Sequence, residues 1–595
     1  MRQSGILMHV SSLPSTQGIG KIGEGAYAFV DFLVDSGVSV WQILPLTPTS
    51  YGDSPYQSFS VFAGNPYFID FDQLEKDGWL ITPDYASINW RTDPRRVNYT
   101  RIYTYCFHVL RVAFGRFDRE NTEFQDFCKR NAFWLDDYAL FMALKDANEG
   151  KPWYLWEKVL TDREPQAIEK AKDEYAEDIA FYQAVQFWFF RQWEKLKTYV
   201  NSRNISIIGD IPIYVAYDSA DVWANPKLFL LNENLEPKAV AGCPPDIFSP
   251  TGQLWGNPLY DWSYHKETKY AWWISRLEQA KRMYDTLRID HFRGFESYYA
   301  VPYGKETAEI GIWQSGPGVE LFQEAEKKLG KLSIIAEDLG FVTQQVRQML
   351  KETGFPGMKV LQFAFDGNPA NEYLPQNYTD PHCIVYTGTH DNPTLRGWLS
   401  SSSTKSIGFA KRYLHCRNVT DLPTEVIRAA WSSIAQLAVA QMQDFLEVGA
   451  DGRMNTPSTI GQNWQFRTVS ADFTARLAKR IFRINELYNR LPELTQPPQL
   501  AHSRKSKTGR LRNTAVQQVL DQMNNTIPNR NNEIIKARIA EQKSKDAEKE
   551  EARQRAYLER KMELDLEKIR EIEKMEKIVR SKKKVKMEKM KLEEK

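Results

Sequence analysis

Six short apolar runs, each stopping at polar or acidic residues and separated by helix-like stretches, constrain this chain more than any other feature. They are SVWQILPLTP (39–48), ISIIGDIPIYV (205–215), TLRIDHFRGF (286–295), LSIIAEDLG (332–340), MKVLQFAFDG (358–367) and CIVYTGTHDN (383–392). Continuous runs rich in β-branched residues read as strands buried on both faces. Helical patterns between them, such as 180–199 and 272–283, predict parallel βα units. Five or six units in one chain predict an α/β fold of the (β/α)8 TIM-barrel type with inserted subdomains, rather than an open doubly wound sheet. Periodicity alone does not decide whether the sheet closes. No GxGxxG follows a strand, which argues against dinucleotide binding.

The chain's 595 residues are long enough for a barrel with large insertions, and 78 basic against 76 acidic residues disfavour a nucleic-acid binder. The charge is uneven. From Ala501 onward there are 27 Lys/Arg and 17 Asp/Glu, about +10, which leaves 51 against 59 for the first 500 residues. That shift predicts a catalytic domain over 1–497, with helical insertions at about 75–200. A linker at 498–531 and a charged helical tail at 532–595 follow. In the tail Met562, Leu566, Ile569, Ile572, Met575 and Val579 recur every three or four residues, one narrow stripe on a charged helix. A solvated helix, a coiled-coil or partner-docking element, and nucleic-acid contact through Lys582, Lys583 and Lys584 all remain open for it. The five cysteines are scattered, with no CxxC pair, which predicts a reducing compartment. No apolar run reaches membrane-spanning length, and the N-terminus reads as mature protein.

The carboxylates give the chemistry. Asp210, Glu337 and Asp391 stand where apolar runs stop, and Asp290 stands at the end of TLRID. In a barrel those strand ends ring one cleft. Any one of them alone reads as a strand-end cap; four together, each with a polar or cationic neighbour, read as a site. Arg288 lies two residues before Asp290, on the same side of a strand, and can keep it ionised. Glu337 follows LSIIA, where partial burial would raise its pKa and suit a general acid/base. A pair with split pKa values fits glycosidic-bond chemistry. A divalent-metal site is disfavoured by the adjacent Arg and His groups.

LRIDHFRG, IIAEDLG, TGTHDNPT and DIPIYV resemble strand motifs of the α-amylase clan. SYGDSPYQSFSVFAGNPYFIDF (50–71), GCPPDIFSPTGQLWGNPLY (242–260) and RMNTPSTIGQNWQFR (453–467) resemble, more narrowly, the 4-α-glucanotransferase family, from about Gly5 to about Leu491. The resemblance implies transfer of an α-1,4-glucan segment to glucose or another maltooligosaccharide by a retaining double displacement, with no cofactor and no metal. Asp290 would be the nucleophile, Glu337 the acid/base and Asp391 the third acid. Arg288, His390 and Asp210 would complete the −1 subsite, and Tyr56 would stack on its sugar. The alternatives are a hydrolase of the same clan, or a non-catalytic glucan-binding or scaffold protein.

The segment Gly242 to Tyr260 reads as a long ordered loop, which inside a compact domain is usually functional. Phe248 and Trp255 offer flat faces for sugar rings, with Asp246 and Gln253 as hydroxyl partners; a packing loop at the barrel mouth is the plainer reading. The family resemblance implies that it helps acceptors compete with water. Asn463 and Trp464 are further substrate-binding candidates, and Tyr51 resembles a position at a remote glucan site. Ser458 and Phe466 depart from the family's expected Gly and Trp. The cytoplasm is the expected compartment, or a plastid for a plant source.

Overall fold

The computed structural model describes residues 2–90, 93–245, 249–340 and 342–492. Eight parallel strands form one sheet: β1 (Gln3–Leu7), β2 (Val40–Gln42), β3 (Ser206–Ile211), β6 (Thr286–Ile289), β9 (Ile334–Ala336), β10 (Gly357–Val360), β11 (Cys383–Tyr386) and β12 (Leu437–Gln441). Their order runs β10-β11-β12-β1-β2-β3-β6-β9. The open edges meet where Ala336 N donates to Pro356 O at 3.0 Å, so the sheet curls into the predicted barrel. Residues of β9, β11 and β12 are buried throughout, as strands covered by barrel interior and outer helices require.

All six predicted runs supply barrel strands. The remaining two, β1 and β12, were not singled out by the pattern. LAVAQ in β12 and QSGIL in β1 each carry a single β-branched residue. Their pairing is non-local: β1 lies between β12 and β2 (Ile6↔Ala440, Ile6↔Trp41). Arg490 helps to clasp the two chain regions. It donates to Trp431 O at 2.8 Å, Gln3 O at 2.7 Å, Ser433 O at 3.0 Å and Ala435 O at 3.1 Å.

The predicted helices extend from Ala176–Ser202 and Ala271–Met283. The first belongs to a helical insertion between β2 and β3 that also contains Tyr99–Phe114 and Thr122–Ala147. Two glutamines of Ala176–Ser202 pin the segment following β2. Gln186 exchanges both amide bonds with Gly64 (2.7 and 2.9 Å), and Gln192 does the same with Asp70 (2.8 and 3.1 Å). That segment carries Tyr56.

A second, antiparallel sheet has the order β5-β4-β7-β8, with β4 (Ala239–Cys243), β5 (Gln253–Pro258), β7 (Ser297–Pro302) and β8 (Ile312–Ser315). It corrects the reading of 242–260 as a loop. Both flanks of that segment are strands, paired Gly242↔Leu254 and Cys243↔Gln253 with a register shift toward Val240↔Pro258. The Pro and Gly residues that suggested a loop mark the turn and the irregular register. The linker and tail expected beyond residue 498 lie outside the described residues.

Candidate active site

The site begins as a register relationship. Strands β3 and β6 pair so that Asp210 faces Arg288 across the ladder. Arg288 Nη1 donates to both Asp210 oxygens, at 2.9 and 2.7 Å, and Nη2 donates to Asp290 Oδ1 at 2.7 Å. Burial works against the Arg288 charge, but Asp210 and Asp290 outweigh it and hold the guanidinium above its ordinary range. The Asp210 carboxylate has no exposed surface. Burial pushes its pKa up and Arg288 opposes that rise. Tyr56 Oη donates to Asp210 Oδ2 at 2.7 Å, and burial keeps this phenol well above its usual range. Asp210 thus anchors Arg288 and Tyr56 from behind.

Gly209, just before Asp210, is required by close approach: a Cβ there would lie 2.2 Å from the Tyr284 ring.

One strand further round, β6 and β9 end their paired register at Ile289↔Ala336. The next residues are Asp290 and Glu337. Glu337 N donates to Ile289 O at 3.1 Å, which continues the ladder, but the following bond comes from Phe292 N to Glu337 O at 3.0 Å. His291 is therefore an extra, bulged residue, in the left-handed region at φ 50°. Its freed N–H donates to Glu337 Oε2 at 2.8 Å, and Leu339 N donates to Oε1 at 2.8 Å. Burial, reinforced by the Asp290 charge, pushes Glu337 up to about 8, against Arg288 and the two N–H donors. The His291 ring is pushed down to about 4 by burial and stays neutral.

Asp391 follows β11 in a turn. Asn455 Nδ2 donates to its Oδ1 at 2.6 Å, Arg453 Nη2 donates to its backbone O at 2.5 Å, and His390 Nε2 lies 3.3 Å from Oδ1. His390 stacks on Tyr56 with ring centroids 5.0 Å apart and planes at 16°. Trp464, itself buried, packs against both rings at 5.9 and 5.8 Å. Behind His390, burial and the His390 charge push His9 down to about 3, and its Nδ1 accepts from Leu44 N at 3.3 Å.

Asn463 is turned into its own loop. Its Oδ1 accepts from Thr456 N at 3.0 Å and its Nδ2 donates to Thr459 O at 2.9 Å. Ser458 in that loop has φ 61°, a conformation that favours glycine, which explains the Gly expected there. Phe466 bridges to Arg96 and is buried.

The β4–β5 hairpin forms another part of the site. Trp255 meets the His291 ring edge-on at 4.7 Å, and its Nε1 donates to Gln253 Oε1 at 3.3 Å. Gln57 Nε2 donates to Asn257 Oδ1 at 3.2 Å and to Trp255 O at 3.4 Å, so the Tyr56 segment and the hairpin are tied together. Asp246 and Phe248 lie outside the described residues. Tyr51 opens the turn Tyr51–Asp53, and its side chain lies outside the described ones.

Sequence reasoning did not single out Gln57, Asn257, His291 or Asn455. All four lie inside stretches it quoted, but their polar side chains or freed N–H gain meaning only from partners on other elements. The assembled group contains a carboxylate paired with a guanidinium and a neighbouring carboxyl whose proton is retained near neutrality. The Asp210 and Asp290 charges face Arg288, so the cluster's anionic charge is met by this chain's own cation.

A family described as 4-alpha-glucanotransferase matches residues 8–472. A 4-alpha-glucanotransferase from Clostridium butyricum is 49% identical over 486 residues, 81% of this chain and 100% of the relative. One from Synechocystis sp. is 47% identical over 497 residues, 82% of this chain and 98% of the relative. Among solved structures, an amylomaltase from Streptococcus agalactiae in complex with acarbose superposes with a TM-score of 0.81 at 42% identity, covering 83% of this chain and 100% of that one.

Proposed function

The chain belongs to the 4-alpha-glucanotransferase family, and on that premise we propose that it transfers α-1,4-glucan segments between maltooligosaccharides, glucose included as acceptor, by double displacement on Asp290 and Glu337. The observation that carries the roles is their adjacency. Strands in a sheet lie ~4.8 Å apart, and two carboxyl groups one strand apart suit the ~5–5.5 Å spacing of a retaining pair.

In the first half, an Asp290 oxygen attacks the anomeric carbon of the donor. The bond from that carbon to the departing O4 breaks, and the Glu337 proton goes to O4. The product is a glycosyl ester of Asp290 and a shortened glucan. In the second half, Glu337, now ionised, takes the proton of the acceptor's 4-hydroxyl. That oxygen attacks the anomeric carbon and Asp290 departs, so the α configuration returns. Arg288 orients Asp290 through the Nη2 bond and sets a positive charge beside it. Asp391 and His390 bind sugar hydroxyls, Tyr56 stacks on the ring, and Trp255 with Gln253 holds the glucan from the hairpin side. Asn463 supports this by ordering the loop that carries Trp464. Asp246, Phe248 and Tyr51 complete the proposed contacts by family resemblance.

Residues 1–497 form the catalytic domain in this reading, since relatives align over 98–100% of their own length with about four fifths of the chain. The scattered cysteines support a reducing compartment, the cytoplasm in this reading or a plastid for a plant source. No helix among the described residues is long and apolar enough to cross a membrane.

The test is incubation of the purified protein with maltotriose. A ladder of longer maltooligosaccharides with released glucose is expected. Equal maltose and glucose with nothing longer would make the protein a hydrolase instead.

A further inference from the structure

Away from the carboxylates, three tyrosines from three separate elements meet at the surface. Tyr154 lies in the turn Trp153–Leu155, Tyr217 in the segment following β3, and Tyr303 just past β7. The Tyr154 and Tyr217 rings are parallel within 6°, with centroids 4.5 Å apart. Tyr303 stands across Tyr217 at 77° and 6.5 Å. Tyr154 is 37% exposed and Tyr303 48% exposed.

The arrangement is held from beneath. Tyr217 Oη donates to Leu235 O at 2.8 Å, and the indole of fully buried Trp153 donates to Tyr217 O at 2.7 Å. Asp218 is fixed by Lys145 at 2.6 Å and by Trp153 N at 3.3 Å, which leaves a carboxylate beside the rings. Nothing in the catalytic cluster uses these residues.

We propose that Tyr154, Tyr217 and Tyr303 form a surface site for an α-1,4-glucan chain, separate from the catalytic carboxylates. The proposal rests on the family reading for the identity of the glucan. A sugar ring has an apolar face and a rim of hydroxyls. Two crossed, pre-set aromatic surfaces with phenol groups and a carboxylate at the edge match both features. Pre-setting the rings lowers the ordering cost of binding. A corner of three rings has the dimensions of one or two sugars, whereas a stable protein interface needs ~800 Å² on each partner.

The site also lies on the framework of the cleft. The segment from Asp210 to Tyr217 is tied to the hairpin through Asn257 Nδ2 donating to Val215 O at 2.7 Å. Tyr303 directly follows Pro302, the last residue of β7, which pairs with β4. A long glucan can therefore be held on the same wall that presents Trp255, while a trisaccharide in the cleft has no need of the corner.

The experiment uses the full chain and the variants Tyr303→Ala and Tyr154→Ala. Mobility is compared in native gels with and without amylopectin, and KM and kcat are measured on amylose and on maltotriose. The expected result is weaker retardation by amylopectin and an amylose KM raised about fivefold or more, with maltotriose KM and kcat unchanged. Parental retardation and parental amylose KM in both variants would overturn the site. An equal rise in KM for maltotriose would also overturn it, by placing the rings in the cleft. If Tyr154→Ala does not fold, Tyr303→Ala decides alone, because its ring is exposed and leaves no buried void. A parent that yields no ladder from maltotriose contradicts the family activity instead, and the gel comparison then still tests the corner.

Discussion

Asp290 and Glu337 stand one register step beyond the last paired residues of β6 and β9, Ile289 and Ala336. Adjacent strands thus deliver the two carboxyl groups side by side, and the His291 bulge turns a backbone N–H onto one of them. The pair is a product of ladder geometry, and its two members receive different surroundings. Asp290 receives the Arg288 guanidinium, and Glu337 receives burial and neutral N–H donors.

Arg288 bonds Asp210 and Asp290 at once through different nitrogens. A lysine keeps the charge but lacks the planar fork. Arg288→Lys is expected to lower kcat on maltotriose by about a hundredfold, ~2.7 kcal/mol in the barrier, with the far-UV spectrum unchanged. Steady-state kinetics together with circular dichroism check this.

Glu337 titrates near 8 in the folded protein, above its ordinary 4.5. In the proposed mechanism the donor-cleaving step needs its proton, so kcat/KM is expected to fall as pH rises through about 8. The same shift enters stability. Between 4.5 and about 8 the folded state binds a proton that the unfolded state has released, so stability is highest below 4.5 with respect to this group and declines as pH rises. Glu337→Gln removes both effects. Its Tm should vary less across that window than the parent's, as a series of thermal melts would reveal.

Asn455 reaches Asp391 Oδ1 at 2.6 Å from a loop far along the chain. Asn455→Ala frees that carboxylate to rotate. The expectation is a drop of about tenfold in kcat/KM, ~1.4 kcal/mol, with Tm nearly unchanged. Asn455→Asp sets two carboxylates face to face and should be worse than alanine. Equal kinetics for the two variants would contradict this.

Gly209→Ala drives a Cβ to 2.2 Å from the Tyr284 ring. Both lie in packed interior, so relief requires backbone movement. The expected cost is ~2–3 kcal/mol, read as a lower Tm and an earlier denaturation midpoint.

Removal of residues 499–595 should leave disproportionation of maltotriose within about twofold of the parent, since relatives align to their full length without an equivalent of this segment. Product ladders from the shortened and full-length chains decide this. A soluble, folded and inactive short form would contradict the domain boundary.

Six strands and the four acids at their ends were legible because burial on both faces imposes uninterrupted apolar runs, and the runs stop where the chain reaches the cleft. Strands β1 and β12 were not legible. Alanine-rich LAVAQ gives little β signal, and its place is fixed by partners more than four hundred residues away, Gln3 to Leu7. The 242–260 segment misled for a related reason: Pro and Gly mark turns, but antiparallel pairing of β4 with both β5 and β7 makes strands of the flanks.

The sequence by itself determined the pattern of parallel βα units, the placing of Asp210, Asp290, Glu337 and Asp391 where apolar runs stop, and the spacing that puts Arg288 on the same side as Asp290. These follow from side-chain alternation and apolar patterning, which are local. Only the tertiary structure decided that Arg288 is shared with Asp210, that Tyr56 is backed by His390 and Trp464, and that Glu337 is held by a bulged N–H. Those relationships depend on strand register and on contacts between distant segments, and local patterning carries no information about either.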